Sequence, residues 1–232
     1  MVKSEIIKKS PLRTLEKSLH GGLKPGEIGV LASKKGVGKT ACLVHIALDK
    51  LFQGKSVIHV SYASRVDYII NWYEDIFKGI AKKQKIEPSL EVHNEIIKNR
   101  VIMNFNQQAT RTEQVLKSIE AMIKHGDFAA HIVIVDGFDF SKSSLEDFGR
   151  FKDFAQKAGV EIWFSASLKE RKPLFDEKGY PAVLVNLMEK IDVLLTLKYK
   201  DRFVRLNVVK NREYPTSGEP TLCLDPATFL IA

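Results

Sequence analysis

The chain has 232 residues, with 36 Lys and Arg against 28 Asp and Glu for a net charge of +8. Hydrophobic residues make up 44% and aromatics 9%, enough for a packed core and too many for a disordered chain. No stretch approaches the roughly 18 apolar residues of a membrane span, and MVKSEIIKKS lacks the apolar region of a signal peptide. The length fits one domain over 1–232. The positive surplus suits polyanions or simply a solvated face; KKQK (82–85) and KERK (169–172) are its local clusters. Cys42 and Cys223 lie in apolar surroundings without metal-like spacing and read as buried free thiols, which points to the cytoplasm. No histidine pairs with another or with a cysteine at zinc-ligand spacing.

In chain order, the first apolar run is Ile28–Ala32, a predicted buried strand. Ser33-Lys34-Lys35-Gly36-Val37-Gly38-Lys39-Thr40 follows it and opens a helix from Ala41 through His45 to Leu51. Strand, Gly-rich loop and helix in this order are the setting of a Walker A phosphate loop. Gly36 and Gly38 let the backbone wrap so that N–H groups face phosphate oxygens, and the helix start adds its positive dipole end. Ser33 through Ala41 are thus the expected nucleotide-binding residues. Lys39 would bridge the β- and γ-phosphates, and the Thr40 hydroxyl would bind Mg²⁺. Ser33 stands where the motif usually has Gly, and is small enough for the loop to close.

Ser56–Val60 is the second predicted strand, followed by an apolar stripe at helical spacing over 66–77, which is either core or a docking face. Val101–Phe105 is the third. Thr110-x-x-Glu113 reads as a capping box for a helix that Gly126 stops. His131–Val135 is the fourth strand, and Asp136 ends it, where a carboxylate beside a phosphate loop can hold a Mg²⁺-bound water. Ser143-x-x-Glu146 reads as a second capping box, before a helix lined by Phe148, Phe151 and Phe154 and ended by Gly159. Glu161–Ser165 is the fifth strand. Alternating strands and helices predict an α/β fold whose mainly parallel sheet is covered on both faces. Beyond Asn186 the runs Ile191–Leu197, Phe203–Val209, Thr221–Leu224 and Thr228–Ile231 read as strands that are antiparallel in part.

The entry Leu15–Glu27, with Gly21-Gly22-Leu-Lys-Pro25-Gly26, resembles that of RecA-like P-loop ATPases of the KaiC, RadA and DnaB group. Arg171-Lys-Pro, Met188–Leu195 and Val209-Lys210-Asn211-Arg212 with Gly218 are similar to the closing section of DnaB-type domains. The resemblance implies ATP and Mg²⁺ as ligands, and an oligomer (ring, filament or dimer) in which Lys210 and Arg212 reach the γ-phosphate of a neighbouring subunit. It also implies a polar sensor at Ser167, where the helicase branch commonly has Gln. The family's catalytic glutamate after the second strand falls on Ala63, which has no proton acceptor; Asp67, Glu74 and Asp139 are the nearby acids that would have to substitute. The expected function is therefore ATP and Mg²⁺ binding with weak or absent hydrolysis, ATP controlling oligomerisation or partner binding. The alternative is an active DNA-dependent ATPase of recombinase or helicase type, with Leu168–Pro181 as the loop facing DNA. A third reading follows the likeness of Lys34–Thr40 to the loop of ParA/MinD ATPases, in which Lys34 would reach a nucleotide across a dimer.

Overall fold

The computed structural model describes residues 2–85, 90–106, 108–168, 174–216 and 220–231. Two short helices, α1 (Val2–Lys8) and α2 (Leu12–Ser18), precede β1 (Ile28–Lys34), α3 (Lys39–Phe52) and β2 (Ser56–Ser61). Next come α4 (Asp67–Gln84), α5 (Leu90–Lys98), β3 (Arg100–Asn104), α6 (Thr112–His125), β4 (Ala130–Asp136), α7 (Leu145–Ala158) and β5 (Glu161–Leu168). A 3-10 helix, Val185–Lys190, leads into β6 (Val193–Lys200), β7 (Phe203–Asn211) and β8 (Pro220–Leu224).

The strands form one sheet in the order β3-β2-β4-β5-β1-β6-β7-β8. From β3 to β6 every neighbouring pair is parallel; β6–β7 and β7–β8 are antiparallel. The expected architecture is met, because buried β-branched runs joined by helices return to the same sheet as parallel strands.

Alternation along each strand sorts the core into two layers. Leu31, Val57, Ile132, Ile134, Trp163 and Leu195 pack with residues of α1 to α5. Ile28, Val30, Ile58, Val133, Ile162 and Phe164 pack on the opposite face with residues of α6 and α7. There Phe138, Phe140, Phe148 and Phe151 surround Phe164, ring centroids 5.0 to 5.7 Å apart. Burying each such ring contributes about 1.5–3 kcal/mol. Gly29 is fixed by packing, since a Cβ there would lie 2.5 Å from Trp163 Cε3.

Three local readings shift. Gln114 Oε1, not Glu113, accepts the Arg111 N–H (2.9 Å), so the box opening α6 lies one residue later. Ser144 Oγ accepts the Asp147 N–H (3.0 Å), moving the α7 box by one as well. In both places the sequence holds two overlapping pairs, and the chain takes the one that seats the apolar stripe on the sheet. Thr228–Ile231 is no strand: Asp225 accepts from Ala227 N–H and the Thr228 hydroxyl, winding a turn that leaves only a Leu224–Ile231 bridge. Cys42 is buried and free, its thiol pushed up to about 12 by burial; Cys223 is free and half-buried. Among the described residues, no helix is long and apolar enough to cross a membrane.

Candidate functional site

The loop after β1 is shaped for a phosphate. Gly38 caps α3 at φ 109°, a left-handed conformation that a side chain would strain, and a Cβ there would also meet Leu224 Cδ2 at 2.6 Å. No side chain caps α3, so its first-turn N–H groups, those of Lys39, Thr40 and Ala41, stay available to an anion at the positive end of the helix. Lys34, Lys35 and Gly36 are exposed, Val37 is half-buried against the core, and the Ala41 side chain is wholly buried, leaving it only its backbone to offer.

Lys39 is buried, and its ammonium donates to Ser33 O (3.1 Å), Ser33 Oγ (3.3 Å) and Lys34 O (2.9 Å). Burial pushes its pKa down to about 8, with the Asp136 charge pulling the other way. An ammonium destabilised by burial gains most from an incoming phosphate. Ser33 therefore does more than fill the place of a glycine, since it supplies two of the acceptors that orient the lysine.

Asp136 ends β4 two strands from β1, with β5 between them. Its Oδ2 accepts the Thr40 hydroxyl at 2.8 Å and its Oδ1 the Ser165 hydroxyl at 2.6 Å; Ser165 Oγ in turn accepts the Gly137 N–H at 2.8 Å. Thr40 and Asp136 are thus an adjacent pair of hard oxygen donors. Among the described residues no three His, Cys, Asp or Glu side chains gather as a metal cluster. A hydroxyl and one carboxylate fit Mg²⁺, which takes few protein ligands and completes its shell with phosphate and water.

Ser165 is the residue that sequence reasoning passed over in favour of Ser167. Both point to one face of β5, but Ser167 is exposed and pairs with Ser33 in the register, at the outer rim of the phosphate loop. Ser165 is buried, and it is the one that holds the carboxylate.

After β2 the Ala63 N–H caps back onto Ser61 Oγ (3.1 Å), and the methyl offers no proton acceptor. The three nearby acids are engaged elsewhere: Asp67 by Arg65, Glu74 by His93 at 2.9 Å, and Asp139 by the Ser141 hydroxyl and N–H.

Lys210 and Arg212 sit at the other pole of the sheet. Arg212 N donates to Asp192 O and Asp192 N to Ile28 O, which levels Arg212 with the start of β1. The phosphate loop begins at the far end of that seven-residue strand, about 20 Å away at 3.3 Å per residue. Lys210 Nζ donates to Met188 O (2.6 Å) and Ile191 O (2.7 Å). Arg212 uses its whole guanidinium: Nε on Glu27 Oε1, Nη1 on Leu19 O and Asn211 Oδ1, Nη2 on Gly22 O and Glu27 Oε2. These bonds clasp the Gly-rich entry segment to the end of β7.

KERK (169–172), and with it most of the basic part of the expected DNA-facing loop, lies outside the described residues. Phe175 and Tyr180 pack half-buried against the core, with Lys198 over the Phe175 ring. On α4, Ile69, Tyr73, Ile76 and Phe77 are buried, so the 66–77 stripe is mostly core; Val66, Tyr68 and Ile70 remain exposed.

No protein-family model and no curated protein matches the sequence. Solved structures do match in fold. The ATPase domain of a DnaB-like helicase superposes with a TM-score of 0.73 at 15% identity, over 95% of this chain and 89% of that chain. The chain thus has the RecA-like P-loop fold.

Proposed function

We propose that the chain is a single ATPase-like domain that binds ATP with Mg²⁺ and hydrolyses it slowly or not at all. Ser33 through Ala41 cradle the phosphates, Lys39 neutralises them, and Thr40 and Asp136 hold Mg²⁺, with Ser165 fixing the Asp136 carboxylate. The metal would supply charge neutralisation on the phosphate oxygens. The adenine base and the ATP ligand rest on the likeness to an ATPase domain.

The observation carrying the weak turnover is at Ala63. A positioned base contributes about 10²–10⁴ in rate, and the acids that might replace it are held by Arg65, His93 and Ser141. Ser167 at the rim leaves a hydroxyl within the site and no longer-reaching amide. Binding without turnover makes ATP a ligand that stabilises one state, by about 2.7 kcal/mol at a hundredfold excess over Kd. That is ample to favour one assembly of copies over another. Lys210 and Arg212 lie too far from their own phosphate loop to serve it, so any action of theirs on a phosphate is on a neighbour's, after release from the clasp.

Equilibrium dialysis with Mg·ATP tests the binding. We expect one nucleotide per chain, lost in Lys39→Ala and much weakened in Asp136→Ala. Unchanged binding in Lys39→Ala would overturn the site. DNA-stimulated turnover, measured alongside, would instead support the active motor.

A further inference from the structure

The KKQK cluster at 82–85 has no part in the phosphate site, yet three of its residues converge on one place. Lys83, Gln84 and Lys85 line a cavity of about 390 Å³ where α1, α3, α4 and the chain's last residues meet. Its apolar wall includes Ile6, Phe52, Ile80 and Leu230, and Lys9 joins the two lysines on the polar side. The volume falls in the range of small-molecule sites, roughly 300–1,000 Å³, and such sites pair an apolar body with a few convergent polar groups.

The polar groups set the sign of the ligand. Asp49, the carboxylate in the wall, is already taken by Arg13 and by Gln53 Nε2 (2.7 Å). His45 is buried with its pKa pushed down to about 4 by that burial, partly offset by the Phe229 carbonyl it contacts at 2.9 Å; it is neutral there at pH 7. Lys9 meets Glu5 only at 3.5 Å on an exposed surface, where such a pair holds it weakly. The cavity therefore carries a surplus of positive charge. A last-turn lysine also offsets the negative end of its helix, but Lys83 reaches away from α4 to Ile231 O (3.1 Å) on the tail that closes the cavity. Gln84 Oε1 is buried without a hydrogen-bond partner, an acceptor left for a donor group or a water. Along α3 the cavity wall at Asp49 lies about 15 Å from Lys39, at 1.5 Å per residue, so this is not the phosphate site.

We propose that this cavity is a second ligand site, taking a small anion with an apolar body: a carboxylate on a medium-length acyl chain. The chain fills the Ile6, Phe52, Ile80 and Leu230 wall, and the carboxylate lies among Lys9, Lys83 and Lys85. Charge complementarity selects the anion over a cation of the same shape. The site stands independently of ATP binding.

Calorimetric titration of the full chain with decanoate and with decylammonium tests this. We expect saturable one-to-one binding of decanoate, at least about tenfold tighter than decylammonium, a difference of about 1.4 kcal/mol. Ile80→Trp, which fills the cavity, should abolish it. Lys9→Met combined with Lys83→Met should weaken decanoate about tenfold, and provides the decision if Ile80→Trp fails to fold. No saturable decanoate binding up to about 1 mM, equal affinity for the two amphiphiles, or binding unchanged in the folded variants would each overturn the proposal. Repeating the titration in Lys39→Ala keeps the result separate from the nucleotide site, since that change should leave decanoate binding intact.

Discussion

Replacing Arg212 by Leu removes the clasp between the end of β7 and the entry to β1. The change leaves the Glu27 carboxylate, the carbonyls of Leu19 and Gly22, and Asn211 Oδ1 without their donor. Breaking a fully buried ion pair costs about 3–5 kcal/mol. Glu27 and Arg212 retain 17% and 14% side-chain exposure, so water recovers part of that, and we expect about 2–3 kcal/mol. At roughly 2–4 °C per kcal/mol for a chain of this size, Tm should fall by about 5–10 °C. The pair should also set an acid limb. Burial raises the Glu27 pKa, but the hydrogen bond and charge of Arg212 and the Lys24 N–H outweigh it and leave the carboxyl below its usual 4.5. A carboxyl depressed in the folded state contributes stability above its unfolded pKa and loses it as pH falls through the folded value. Urea unfolding of Arg212→Leu, Glu27→Leu and the double variant at pH 7 and pH 3 is the assay. The singles should be non-additive, coupled by about 2 kcal/mol at pH 7 and by less at pH 3. A single variant within about 0.5 kcal/mol of the parent would refute the clasp.

Further expectations concern the phosphate site and the core. Because the Lys39 pKa is lowered to about 8, Mg·ATP binding near pH 8.5 should take up a proton, seen as a dependence of the calorimetric heat on buffer ionisation enthalpy; Lys39→Ala should lack it. Ser165→Ala frees Asp136 Oδ1 and the Gly137 N–H and should cost about 1–3 kcal/mol of stability, with weaker Mg²⁺ dependence of ATP binding. Burial lowers His45 and His59 to about 4, so stability should be full above about pH 6.5 and decline as pH falls towards 4. Urea midpoints across that interval should show the decline, and His45→Gln should flatten part of it. Tyr73→Phe leaves both nitrogens of the buried His59 ring without a partner and should cost about 1–3 kcal/mol in the same unfolding assay.

Much of the fold was legible because its signals are local. The runs from Ile28 to Val135 are β-branched and short, and the GKT loop sits between strand and helix, as a phosphate site requires. What escaped depends on register or on distant partners. Ser165 and Ser167 share a face of β5, and only the alignment of β5 between β4 and β1 places one against Asp136 and the other at the rim. Arg212 finds Glu27 from 185 positions away, so a solvated strand end and a five-bond clasp read alike in the sequence. The KKQK cluster likewise gained meaning only once α1 and the final residues closed on α4. The overlapping acids and amides at 113–114 and 146–147 left the helix caps undecided by one residue.

The central claim is that the site binds ATP and spares it. Purified protein incubated overnight with Mg·ATP, washed free of unbound nucleotide, denatured and analysed by chromatography should release intact ATP, close to one per chain. Recovery of ADP at or above the protein concentration, absent from the Lys39→Ala control, would contradict it and mean that another acid does the work missing at Ala63.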